Sequence, residues 1–93
     1  MKHERAARQW LGKWKAAEVE LKNLDAKTRR LTRARKALVR LVVPTSVQVE
    51  DATRVIELST RIGEQYERRV KLTEKRDRYM RSFAMLMREE MER

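Results

Sequence analysis

Eleven positions from Ala7 to Val42 recur at alternating intervals of three and four residues: Ala7, Trp10, Trp14, Ala17, Leu21, Leu24, Thr28, Leu31, Arg35, Leu38 and Val42. Nine of the eleven are apolar. On a strand these positions would scatter over both faces, but on a helix they form one narrow stripe. A stripe that narrow is the kind a second helix buries. The first half of the chain therefore reads as one member of a coiled-coil-like pair.

Pro44 is the single proline, and around it, in Val42–Val49, the helical spacing lapses. The residue before proline disfavours the α region, so the first helix should end near Val42 or Val43. Thr45 and Gln48 have the spacing of a capping box, with Asp51 a later candidate for the cap. The expectation is helix 3–42, turn 43–46 and helix 46–91. In the second arm Val55, Leu58, Ile62, Leu72, Tyr79, Phe83 and Leu86 keep one frame, which Gln65, Arg69 and Arg76 interrupt. Tyr66, Val70, Met80, Met87 and Met91 lie beside that stripe, so the packed face should be wider or drift.

Charge spacing gives a second argument for helix. Ten acids precede a base by four residues, among them Glu4–Arg8, Glu18–Lys22, Glu57–Arg61 and Asp77–Arg81. That order stabilises a helix by about 0.2–0.5 kcal/mol per pair.

Charged residues are 41% of the 93, aromatics 5%, and there are two glycines. A thick globular core and a hairpin-rich β domain are both excluded, and one small domain over 1–93 is expected. Equal arms about a short turn should fold back as an antiparallel hairpin. With that turn near residue 45, facing residues should sum to about 90. Trp10 would then meet Met80, Trp14 would approach Arg76, Leu24 would face Tyr66 and Leu38 would lie near Ala52. Trp10, Trp14, Tyr79 and Phe83 would cluster at the open end, with Arg76 over an indole.

A lone hairpin covers little apolar surface. The fold class expected is all-α, two long helices in an antiparallel hairpin completed to a four-helix bundle by dimerisation. The oligomer or partner interface would draw on Trp10, Trp14, Leu21, Leu24, Leu31, Leu38, Tyr79, Phe83 and Leu86.

Function is carried by charge. The formal net charge is +10, and Ala26–Arg40 holds seven bases without an acid. Arg29, Arg33, Lys36 and Arg40 fall on one outward helical face, with Arg30 and Lys27 beside them. Such a row can track a phosphate backbone. The expected partner is nucleic acid, DNA or RNA, bound without base specificity, since no helix-turn-helix or zinc-finger pattern is present. The rival class is an adaptor, chaperone or small inhibitor docking on an acidic face of a larger complex. The plain structural alternative is a solvated back, or one paired with Glu50, Asp51, Glu57 and Glu64. Lys13, Lys27, Arg54, Arg61, Arg68 and Lys75 all occupy g positions, which would set Lys13 against Lys75 and Lys27 against Arg61. An anionic partner along that edge would relieve the repulsion.

Trp10-Leu11-Gly12 resembles the W-x-G signature of the small secreted two-helix family exported by mycobacterial-type secretion systems. That family carries the motif in the turn between its helices, whereas here it lies inside a heptad near residue 10. The three residues carry no family assignment. Met80, Met85, Met87 and Met91 form a soft apolar patch expected in the core or an interface.

His3 is the one histidine, cysteine is absent, and no glycine-rich phosphate loop or metal-ligand cluster occurs. The chain is expected to be no enzyme, with no cofactor and no small-molecule substrate. No apolar run nears the roughly 18 residues of a membrane span. Cytoplasmic location is the expectation from these absences together with an N-terminus that lacks a signal-peptide core.

Overall fold

The computed structural model describes residues 3–42 and 49–92. The expected turn at 43–46, its proline and the Thr45 cap lie outside the described residues. The architecture is all-α: α1 spans Glu4–Val42 and α2 spans Val49–Met91, with no strand among the described residues. Each helix opens on acids, Glu4 in α1 and Glu50 with Asp51 in α2, and closes on Arg40 or Arg88. That polarity complements the helix dipole. Trp10–Gly12 lies inside α1, away from any turn.

Every described position of the α1 repeat is buried or half-buried, including Thr28 and Arg35. The two polar members are accommodated locally. Thr28 Oγ1 donates to the Leu24 carbonyl at 2.9 Å, which leaves its methyl group for packing. Arg35 Nη1 donates to Ser59 Oγ at 3.3 Å. On α2 the frame from Val55 to Leu86 is shielded at all its positions except Arg69, so Gln65 and Arg76 belong to the packed stripe. The drift expected beside it is confined to Met87, which is half-buried. Tyr66, Val70, Met80 and Met91 are exposed.

The chain divides into two compact units, Met1–Lys22 with Arg69–Arg93, and Asn23–Arg68. In the first, Ala7, Ala17 and Leu21 are buried; in the second, Leu24 and Ile62 are. Five small or medium side chains make a thin core, each contributing at most about 1.5–3 kcal/mol.

Within each unit the helical segments run antiparallel, but not in the expected register. In the first unit His3 N donates to Glu90 Oε1 at 3.1 Å and Glu18 meets Arg76 at 3.5 Å. In the second, Arg35 meets Ser59. These partners sum to 93 or 94 rather than about 90. Trp10 meets Tyr79 and Trp14 meets Phe83 in tilted ring contacts that reach diagonally across this register, and Trp14 also approaches Arg76 as expected, since its indole N–H and the guanidinium share Glu18 Oε1. Heptad spacing fixes which face packs, but it leaves the sliding of one helix by a turn nearly free. The Glu18–Arg76 and Arg35–Ser59 contacts fit the slide observed.

Of the ten spaced acid–base pairs, Glu4–Arg8 closes, at 2.6 Å. Glu18 turns instead to Arg76 and to the Trp14 indole N–H (3.2 Å), and Asp77 pairs with Arg76 at 3.1 Å. Exposed pairs of this kind contribute about 0–1 kcal/mol, so opening them costs the helices little.

Two substitutions separate burial from polarity in the thin core. Ile62 is 3% exposed, and Ile62→Ala should lower stability by about 2–4 kcal/mol. Gln65 Oε1 is buried with no hydrogen-bond partner among the described residues. Gln65→Leu should therefore raise stability by about 1 kcal/mol, read by denaturant unfolding under circular dichroism. A third change tests the helix interior. A Cβ at Gly12 would meet nothing within 4 Å, so Gly12→Ala should add about 0.5–1 kcal/mol.

Candidate polyanion interface

Lys27, Arg29, Arg30, Arg33, Lys36 and Arg40 are all exposed on α1. They are exposed because the heptad has already assigned the inward positions, and these residues take what remains. None makes an ion pair or side-chain hydrogen bond among the described residues. Glu50, Asp51, Glu57 and Glu64 do not neutralise them, since these acids form no ion pair there either. Among the described residues the basic back is uncompensated.

The structure brings three of the six together. Arg29, Arg33 and Lys36 line one groove in the second unit with Thr28, Thr32 and Tyr66. The Thr32 hydroxyl bonds back to the Thr28 carbonyl at 2.9 Å, as that of Thr28 does to Leu24. Both threonines thus turn their donors away, and the cations supply the groove's polarity. Lys27, Arg30 and Arg40 lie outside this lining. Tyr66 is the member that sequence reasoning missed, having set it against Leu24; it is 57% exposed and stands beside the arginines. Its place beside the α2 stripe, rather than on it, was the available signal. The groove offers cations and one aromatic ring, which suits an anionic chain bearing flat groups.

A second basic locus lies in the first unit. Lys13 Nζ sits 4.8 Å from the centroid of the Trp10 ring and 5.9 Å from that of Tyr79. Lys13, not Arg76, is the cation over the indole. Lys13 and Lys75 line one groove, as the g-edge spacing suggests, and Glu20 lines it with them. Lys75, Arg78 and Arg81 continue with Trp10, Tyr79, Ser82 and Met85 around an adjoining groove.

The residues expected at an oligomer or partner interface sit on the packed stripes of the chain itself. Leu21 and Leu24 are buried; Trp10, Trp14, Leu31, Leu38, Tyr79, Phe83 and Leu86 are half-buried. Trp10 and Tyr79 stack at 5.9 Å between centroids, as do Trp14 and Phe83. No helix is long and apolar enough to cross a membrane among the described residues. Comparison with protein-family models, curated proteins and solved structures gives no match.

The first unit allows a ranking of its two kinds of contact. Arg76 joins Glu18 and Asp77 in a half-exposed network, so Arg76→Gln should cost no more than about 1 kcal/mol. Phe83→Ala loses the Trp14 contact and should cost about 2–3 kcal/mol, below the range for a fully buried ring. A larger loss for Arg76→Gln than for Phe83→Ala in denaturant unfolding would show that the ion network, not the aromatic pairing, holds this unit.

Proposed function

We propose that this chain is a non-enzymatic binding protein whose α1 back engages a polyanion, with the nucleic-acid backbone as the ligand and no base specificity. The observation that carries this reading is the groove of Arg29, Arg33, Lys36 and Tyr66, whose three cations have no acidic partner among the described residues. From Arg29 to Arg40 the row covers about 16 Å of helix, a length over which duplex DNA presents about ten charges. Arginine forks and lysine ammonium groups contact phosphate without reading bases. Tyr66 adds a surface on which an unpaired base can stack, which favours structured or single-stranded RNA and DNA over a bare duplex.

The second reading is docking on an acidic face of a larger protein complex. Tyr66 favours this as well, because an exposed tyrosine ringed by arginines resembles the anchor of a protein interface. In either reading the hairpin dimerises into a four-helix bundle. Support comes from the thin core and from the surface that Trp14, Leu31, Leu38, Phe83 and Leu86 leave half-covered. The cytoplasm is the setting that a cysteine-free chain of this kind fits.

Gel mobility of mixed-sequence DNA and RNA with the purified protein tests the ligand class. Replacing Arg29, Arg33, Lys36 and Arg40 together by Gln should preserve helicity, since Gln is a good helix former. The same variant should bind far more weakly and flatten the salt slope, as about four fewer phosphates are neutralised. Tyr66→Ala should weaken single-stranded binding more than duplex binding. If the wild type shifts neither nucleic acid at about 50 mM salt, where such contacts are strong, the nucleic-acid reading fails. A stoichiometric protein captured after nuclease treatment, and lost in the quadruple variant, would establish the second reading.

A further inference from the structure

α2 carries a second heptad seam that the hairpin leaves only partly covered. Thirteen positions from Val49 to Met91 again alternate at three and four residues, and Asp77 is the one charged side chain among them. This holds in a chain that is 41% charged. The seam lies about 100° around α2 from the packed stripe, the angular step of one residue. Most of its large members are exposed, Val49 80%, Ile56 66%, Tyr66 57%, Val70 59%, Met80 38% and Met91 84%, while Met87 is half-buried. A solvated helix face has no reason to exclude charge so strictly.

Resting on the self-association in the reading above, we infer that the seam between Val70 and Met91 is the dimer face. Its occupant is α2 of a second copy, running antiparallel. Charge complementarity selects the occupant and its register. Glu67, Glu74, Arg81 and Arg88 follow one another at seven-residue steps along the edge of the seam, two acids and then two bases. Antiparallel pairing that sets Val70 opposite the second copy's Met87 brings Glu74 to the second copy's Arg81, and Glu67 to the second copy's Arg88. The two-fold axis repeats both contacts. A slide of two heptads toward full overlap sets Glu67 against the second copy's Glu74, twice. A parallel arrangement sets Arg76 against the second copy's Arg81. Opposite charges at such edges decide partner orientation.

The side chains near the proposed axis are already prepared for this pairing. Asp77 is neutralised by Arg76 of its own chain at 3.1 Å, so the one charge on the seam is not bare. Arg81 Nε donates to the Asp77 carbonyl at 3.3 Å, which holds the side chain along the seam with its terminal nitrogens available.

The absence of cysteine makes the arrangement directly testable. Full-length Val70→Cys and Met87→Cys proteins are mixed, treated with a short bis-maleimide and compared with each variant alone. The expected result is a covalent dimer in the mixture and none in either variant alone, where the two thiols stand about 25 Å apart along the helix. Cross-linking of Val70→Cys with itself would overturn the antiparallel arrangement. Efficient linkage of Val70→Cys with Met80→Cys would overturn the register. In sedimentation, Glu74→Arg should weaken the dimer at least about tenfold, and adding Arg81→Glu to the same chain should restore it. A wild-type dimer that gives none of these links overturns the face but leaves self-association standing. A wild-type monomer at about 100 µM overturns both, since a dimer of even moderate affinity would form there.

Discussion

The stability of the hairpin depends on one narrow seam. Each described position of the α1 repeat is shielded, and with it all but Arg69 of the α2 frame. Yet only five side chains are buried among the described residues, and none is larger than leucine or isoleucine. A seam this thin leaves the outer positions nearly unconstrained by packing. That freedom is what lets the chain display 24 bases and 14 acids on two helices without breaking either. Because the inward positions are so few, most outer positions are free to carry charge, which makes its near-absence from one α2 face notable.

Three of the polar residues on the seam, Thr28, Arg35 and Arg76, are tolerated because each finds a short-range solution. Thr28 satisfies its hydroxyl on its own helix at the Leu24 carbonyl, so its presence costs no buried unpaired donor. Arg35 is long enough to reach Ser59, and Arg76 to reach both Glu18 and Asp77. Gln65 has no such solution for its amide oxygen and is the seam's weak point. Arginine in these places also narrows the choice of partner helix, since a generic leucine seam would accept many.

The sequence shows the helices plainly and their mutual placement poorly, for physical reasons. Periodicity from Ala7 to Val42 is a property of one helix, so α1 could be read to within a residue of its start at Glu4. Register is a property of two. Sliding by one turn keeps every apolar residue on the seam and exchanges only which ones touch, and the Glu18–Arg76 and Arg35–Ser59 contacts lie about one turn from the expected facing positions. The basic row was legible because an acid-free run needs no partner to be seen. Tyr66 was not, since its place beside Arg29 and Arg33 depends on that same slide. Lys13 was seen as an unfavourable neighbour of Lys75. Its hold on the Trp10 and Tyr79 rings needs coordinates, because ring faces have no signature in a heptad.

Charge also constrains how two such chains can meet. Each carries a net +10, so association over a basic face would be opposed by repulsion at every contact. The α2 outer seam is the long surface with almost no charge of its own, and its edge alternates in sign between Glu67–Glu74 and Arg81–Arg88. Pairing there sets Glu67 and Glu74 against Arg88 and Arg81, so attraction at the edge offsets part of the repulsion. The Arg29–Lys36 row lies on the exposed back of α1, outside the α2 seam proposed for the contact. A dimer built this way presents two cationic rows at once, and a polyanion long enough to touch both gains the effective concentration of a linked ligand. Such a ligand would in turn neutralise the charge that opposes dimerisation. Association and polyanion binding are then favourable to each other, and the same arginines that weaken the free dimer strengthen the bound one.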